Sequence, residues 1–177
     1  CVPEVISALA WKWMYHAQFG AVNNLLYSLG LIASPIPFLD SPELALPSII
    51  LANIWRGFPF YMIMLLAALQ AVPPELYESA TIDGAGALQK FIYITLPNIK
   101  RICIICLIMG FVWLFNAIAM IYVMTGGGPM HSTYILSIYT YLTAFSTYEI
   151  GYAAAISTVC LLILLIPTAI YLKVVGE

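Results

Sequence analysis

The sequence predicts an all-α integral membrane protein, and three observations carry that expectation. Of the 177 residues, 63% are hydrophobic and only 8% are charged. A water-soluble domain keeps about a quarter of its residues charged. Three apolar runs, 48–72, 102–124 and 150–172, span 25, 23 and 23 residues, and the only charge in them is Arg56. A helix crosses the roughly 30 Å hydrocarbon core in about 20 residues, so each run is long enough. None of them alternates polar with apolar residues, as a barrel strand of about 9–11 residues would.

Each element follows in chain order. The stretch 2–11 is apolar but short, and it runs into the belt Trp11, Lys12, Trp13, Met14 and Tyr15. Tryptophan and tyrosine mark membrane–water boundaries. Segment 1–15 is therefore expected to be the end of a span, and a chain opening on Cys1 is expected to be a fragment whose N-terminal spans lie upstream. No basic region precedes the stretch, which argues against a secretory leader. Segment 16–47 is broken by Gly20, Gly30, Pro35, Pro37, Pro42 and Pro47 into short pieces. Leu25, Leu26, Leu29 and Ile32 give it one helical stripe, expected to serve either as an ordinary connector or near a gate. The remaining expectations are a span over 48–72, a structured loop over 73–98, a span over 99–124, a second outer loop over 125–149 and a last span over 150–173.

Charge orients these spans. Lys90, Lys100 and Arg101 lie between the apolar runs 48–72 and 102–124, and Lys173 follows the third run. The positive-inside rule places that loop and the C-terminus in the cytoplasm. Asp40, Glu43 and Glu149 then fall on the outer side.

The loop 73–98 carries the most information. Pro74 suits a helix's first turn, and Glu75 and Glu78 suit its positive end. Leu76, Ala80 and Asp83 share one side of this helix, with Tyr77 and Thr81 beside it. Gly84 and Gly86 are expected to stop it and to permit positive φ. A second helical piece over 87–95 is expected to end at Pro97. A loop this structured between two spans reads as a docking surface.

Glu78-Ser79-Ala80 is followed by three residues and Gly84; nine more lead to Ile94, with Leu96 and Pro97 in place. This pattern resembles the EAA loop of binding-protein-dependent ABC importer permeases, with Ser79 standing where the family has alanine. The resemblance implies a MetI-like transmembrane helix bundle, here three full spans plus the end of a fourth. It also implies a multi-pass protein of the bacterial cytoplasmic (inner) membrane. The helix would seat on a separate ATPase subunit, with Glu78, Ser79, Ala80, Asp83, Gly84, Leu96 and Pro97 as the coupling residues. Two such ATPase subunits, a second homologous permease and an extracytoplasmic solute-binding protein are the implied partners besides the lipid. ATP and magnesium would sit on the partner chains, with no cofactor on this one and no role for nucleic acid.

Further stretches resemble the sugar branch of that family, nearest the first permease of the maltose type. They include Asn53-Ile54-Trp55-Arg56-Gly57-Phe58-Pro59-Phe60, Thr125-Gly126-Gly127-Gly128-Pro129 and Gly151-Tyr152-Ala153-Ala154-Ala155. The resemblance implies solute contacts at Asn53, Gly57 and Phe60. At Gly110 and Leu114 the maltose type carries polar side chains, so the cargo implied is sugar-like rather than maltose itself.

The residues themselves agree. Asn53, Arg56, Gly57, Phe60 and Met64 fall on one helical stripe, and Met109, Trp113, Asn116 and Met120 form a second beside Gly110. Polar groups at membrane depth usually face a bundle interior or a water-filled cavity. Asn53, Gly57, Phe60, Gly110, Trp113 and Asn116 are thus the candidate solute pathway. The same pattern also fits packing glycines and interhelical amide bonds, and Arg56 also fits a pairing with Glu149 or with the partner permease.

Other residues point to no chemistry of their own. Cys103 and Cys106 lie in an apolar helix with nothing nearby to stabilise a thiolate, so they read as small hydrophobes rather than a redox pair. His16 and His131 lack metal-ligand spacing. No Gly-x-x-x-x-Gly-Lys-Ser loop is present, so this chain is not expected to hydrolyse ATP by that route. No catalytic or metal site is expected.

Overall fold

The computed structural model describes residues 2–115 and 117–176, with side chains described through residue 169. Asn116 therefore lies outside the described residues, as does the side chain of Lys173. The elements in order are α1 (Glu4–Met14), α2 (Ala21–Ser28), α3 (Ala45–Gln70), α4 (Pro74–Ile82), α5 (Ala87–Lys90), a π-helical turn (Phe91–Thr95), α6 (Leu96–Phe115), α7 (Ile118–Met124), α8 (Leu136–Phe145) and α9 (Ile150–Gly176). No strand occurs among the described residues.

Three stretches are long and apolar enough to cross a membrane: Ala45–Gln70, Ala87–Phe115 and Ile150–Ala169. Only 11% of each is buried within this chain, so most of their apolar surface needs lipid or another subunit to cover it. Leu107, Ile63 and Ile166, each more than 60% exposed, are typical of that surface.

The chain divides into two compact units, Cys1–Gly57 with Leu114–Leu162, and Phe58–Trp113 with Ile163–Glu177. The first has the better-formed core. Helix α1 packs along α7, which in turn meets α8. Ala8 and Ala52 are fully buried there, and such small side chains let helix backbones approach closely. Met120 and Ile138 fill the space between, also fully buried; each such side chain stabilises the fold by about 1.5–3 kcal/mol.

Short polar ties shape the connections of this unit. Asn23, the buried residue of α2, donates to the Ile36 carbonyl and accepts from the Ile36 amide, both at 2.9 Å. That pins the proline-rich segment against the helix. Gly20 is required at the α1–α2 corner, because a Cβ there would collide with the backbone carbonyls of Met14 and His16. The stretch 125–133 is knotted by the Thr125 and Thr133 hydroxyls, 2.8 Å apart, and by Thr133 donating to the Gly128 carbonyl at 3.0 Å.

Three expectations need correction. The apolar run 102–124 is not one helix: α6 ends at Phe115, Ala117 has ψ 40°, and α7 restarts at Ile118. A run with no charged residue hides this break, because the group that caps the new start, Glu4, lies far away in the chain. The helical piece after Gly86 does not end at Pro97 either. Pro97 sits inside α6, preceded by a π-helical turn in which the Leu96 amide bonds the Phe91 carbonyl, five residues back. A proline cannot supply the usual i→i−4 bond and its ring crowds that carbonyl; the wider turn accommodates both effects, and Asn98 Nδ2 caps the Ile94 carbonyl at 2.7 Å. Finally, Gly86 has φ −73° rather than positive φ and serves as the N-cap of α5.

Candidate functional site

The candidate coupling segment lies wholly in the second unit and is built around the end of α4. The helix begins at Pro74 and closes with a double-bonded glycine corner. Gly84 takes φ +80°, its amide bonds the Thr81 carbonyl at 3.1 Å, and the Ala85 amide bonds the Ala80 carbonyl at 2.9 Å. This is the Schellman arrangement, which satisfies the helix's last carbonyls. Gln89 Oε1 then accepts the Gly86 amide at 2.8 Å, opening α5.

Two side-chain bonds fix α4 against the next helix. The Tyr77 and Thr95 hydroxyls lie 2.9 Å apart, and Thr95 is buried. Lys90 Nζ donates to Thr81 Oγ1 at 2.7 Å, while Thr81 Oγ1 donates to the Tyr77 carbonyl at 2.6 Å. Sequence spacing puts Tyr77 and Thr81 beside the candidate face and gives Lys90 and Thr95 no part in it. Nothing in their eighteen-residue separation announces that Tyr77 and Thr95 meet.

With that side tethered, α4 buries no residue at all. Glu78, Ser79 and Asp83 are exposed and Ala80 is half-buried. Ile82 is 87% exposed, a large aliphatic side chain with nothing of this chain to cover it. Leu96 and Pro97 open α6, directly after the Thr95 tie, and both are exposed. The helix thus pairs a tethered side with an uncovered face that mixes charged, small and aliphatic side chains.

The candidate pathway residues fall in both units, and each group stands by itself. In the first, Arg56 Nη2 donates to Asn53 Oδ1 at 3.4 Å, and Arg56 Nη1 lies 3.8 Å from Glu4 Oε2. Arg56 is thus paired with Glu4 and not with Glu149. Glu4 is engaged a second time, because its Oε1 accepts the Met120 amide at 3.1 Å and so caps the first turn of α7. Such a carboxylate suits the positive end of a helix. Gly57 is half-buried on the same stripe as Asn53 and Arg56.

In the second unit Phe60 and Trp113 meet edge to face, centroids 4.8 Å apart, and Tyr61 joins them 6.5 Å from Trp113. Gly110 belongs to this cluster because a Cβ there would lie 2.6 Å from the Tyr61 hydroxyl. Tyr61 is absent from the sequence-based set; its tie to Gly110 depends on how α3 and α6 pack. Trp113 also borders an apolar cavity of about 330 Å³ with Ile105, Ile108, Met109, Val112 and Thr168. Asn116 is a pathway candidate outside the described residues.

On the first unit an open cavity of about 660 Å³ is lined by residues including Lys12, Tyr15, His16, Asp40, Thr125 and Gly128. Lys12 Nζ is anchored there on the Val123 carbonyl at 2.9 Å. In α8, the Tyr139 hydroxyl is held above the usual phenol range, first by the nearby Tyr152 hydroxyl. Among the described residues no three His, Cys, Asp or Glu side chains converge as a metal site would require.

The chain is similar to known proteins over almost its whole length. Residues 4–175 match the family described as the binding-protein-dependent transport system inner membrane component. The trehalose/maltose transport system permease protein MalF of Thermococcus litoralis is 40% identical over 176 residues, covering 98% of this chain and 58% of the relative. The sulfoquinovosyl glycerol transport system permease protein SmoG of Agrobacterium fabrum is 35% identical, covering 98% and 56%. A crystal structure of a bacterial ABC transporter that imports the acidic polysaccharide alginate superposes with a TM-score of 0.78 at 28% identity, covering 97% of this chain and 61% of that one. The chain thus spans about three-fifths of the length of the proteins it matches.

Proposed function

Since this chain belongs to the family of binding-protein-dependent transport system inner membrane components, we propose that it is the permease of an ATP-binding-cassette importer that brings a carbohydrate or related solute into the cell. Family membership makes it a transport component rather than an enzyme. The observation that carries the mechanism is α4, tethered through Tyr77–Thr95 and Thr81–Lys90 on one side and bare on the other.

In this reading α4 faces the cytoplasm, as Lys90, Lys100 and Arg101 favour, and two ATPase subunits hold the importer's coupling helices. When nucleotide closes the ATPase pair, the force on α4 passes through its ties into α6. The π-helical turn and α6 are continuous with α5, so that push reaches the membrane directly. A second, homologous permease covers the apolar surface that this chain leaves open. An extracytoplasmic binding protein delivers the solute on the far side. Alternating access follows if the ATPase pair binds the coupling helices differently in its open and closed forms, since only differential affinity shifts an equilibrium.

Asn53, Gly57, Phe60, Gly110, Trp113 and Asn116 are the proposed solute pathway. Amide groups and aromatic faces are the chemistry that binds hydroxyl groups and the apolar faces of sugar rings. The relatives named for trehalose/maltose and for sulfoquinovosyl glycerol make a glycoside the first solute to try. The test uses the full-length permease reconstituted in vesicles with its partner subunits. Trehalose uptake is expected to require ATP, and Asn53→Ala and Trp113→Ala are expected to lower uptake while leaving ATPase-subunit binding intact. Equilibration without nucleotide, or unchanged uptake in both variants, would contradict the proposal.

A further inference from the structure

Arg56 is the single charge in the three long apolar runs of the sequence. An ionisable side chain at membrane depth is costly and marks function by default. A bare guanidinium on a solute pathway would favour an anionic cargo, because arginine binds carboxylates and related anions through a rigid fork of donors. The proteins resembling this chain include importers named for an acidic polysaccharide and for trehalose/maltose. Family membership therefore leaves the charge of the solute open.

The geometry around Arg56 bears on that charge. Glu4 Oε2 lies 3.8 Å from Arg56 Nη1, and the two side chains are equally sheltered, 26% and 25% exposed. Glu4 is not free to swing away, since its Oε1 accepts the amide of the fully buried Met120. Arg56 is fixed on its other side by Asn53 Oδ1. The carboxylate thus balances the guanidinium where α1, α3 and α7 come together.

One donor group is left over. With its oxygen engaged by Arg56, the Asn53 amide has its Nδ2 hydrogens to offer. Neutral hydroxyl and ring oxygens satisfy such a donor without bringing in a charge. An acidic solute would face Glu4 across a partly dehydrated site, where like charges repel more strongly than in water.

We propose that Glu4 is a specificity-determining residue that cancels the Arg56 charge and makes this permease select an uncharged glycoside over an anionic one. This rests on the proposed pathway through Asn53. Glu4 acts on the solute through Arg56 and through the field of the site.

The test is the ratio of solute affinities, measured by calorimetry on the full-length, detergent-solubilised importer without its binding protein. Trehalose and a glucuronic-acid disaccharide are the probes. Glu4→Gln keeps an oxygen to cap Met120 while removing the charge. It is expected to move the affinity ratio toward the anionic sugar by roughly tenfold, within the range measured for coupled neighbours. Glu4→Gln combined with Arg56→Gln is expected to return the preference to the neutral sugar. A variant that merely folds less well loses both affinities together and leaves the ratio unmoved.

If Asn53→Ala weakens trehalose binding yet Glu4→Gln leaves the ratio at the wild-type value, the charge inference is overturned and the pathway stands. If Asn53→Ala changes neither affinity, the pathway fails and this inference fails with it. A wild-type importer that prefers the anionic probe overturns the inference outright.

Discussion

Gly84 and Gly86 look interchangeable in the sequence, and the structure separates them sharply enough for a quantitative contrast. Gly84 sits at φ +80°, where a built Cβ meets nothing within 4 Å. Alanine there is penalised by backbone strain alone, about 1–2 kcal/mol for an L-residue in the left-handed region. Gly86 has φ −73°, and its Cβ would come no nearer than 3.8 Å to Gln89 Oε1. Replacing that N-cap glycine by alanine is expected to cost under about 1 kcal/mol. Each hydrogen bond holding α4, two at the glycine corner and two from side chains, contributes a net of roughly 0.5–1.5 kcal/mol. Gly84→Ala should therefore remove a large part of the hold and increase opening of the corner roughly 5- to 30-fold. Hydrogen–deuterium exchange over residues 74–86 in nanodisc-embedded importer reads that opening directly. Gly84→Asn should fall between glycine and alanine, since asparagine enters the left-handed region more readily. Equal exchange in Gly84→Ala and Gly86→Ala, or a larger effect at Gly86, would refute the reasoning.

Other consequences can be checked alongside. Tyr77→Phe takes away the 2.9 Å partner of the buried Thr95 hydroxyl, which keeps its 3.5 Å bond to the Lys90 carbonyl; a loss of about 0.5–1.5 kcal/mol is expected, read as faster exchange in α4 with unchanged solute affinity. Gly110→Ala drives a methyl group against the Tyr61 hydroxyl; overpacking of this kind costs about 1–3 kcal/mol, and a lowered melting temperature of the solubilised importer should be partly restored by adding Tyr61→Phe. Replacing Cys103 and Cys106 by alanine should leave ATP-driven uptake in place, and loss of uptake with intact assembly would reopen a redox role.

What the sequence could say follows from the range of the forces involved. Membrane solvation acts residue by residue, so α3 and α9 were readable from composition and length. The start and stop of α4 were readable for a local reason too: Pro74 and Gly84 act within a single turn. The break before Ile118 was hidden because α7 is capped by Glu4, 116 residues away. The π-helical turn was hidden because proline normally ends a helix, and only the observed five-residue bond shows how Pro97 is absorbed. The candidate coupling face was legible as spacing, whereas its tethers, Tyr77–Thr95 and Thr81–Lys90, needed the fold to bring two helices together. Glu4 did leave a trace, a lone acid in an apolar stretch beside a lone arginine in another. Pairing the two was the step a reading along one chain does not supply.

The proposed coupling role depends on which side of the membrane α4 meets its partner. With the native cysteines replaced, Ile82→Cys puts a single thiol on the bare face of α4, at a position 87% exposed in this chain. In intact cells that thiol should resist a membrane-impermeant maleimide added outside, and in the assembled importer it should cross-link to the ATPase subunit. Labelling from outside, or failure to cross-link to an ATPase subunit that co-purifies with the permease, would contradict the account.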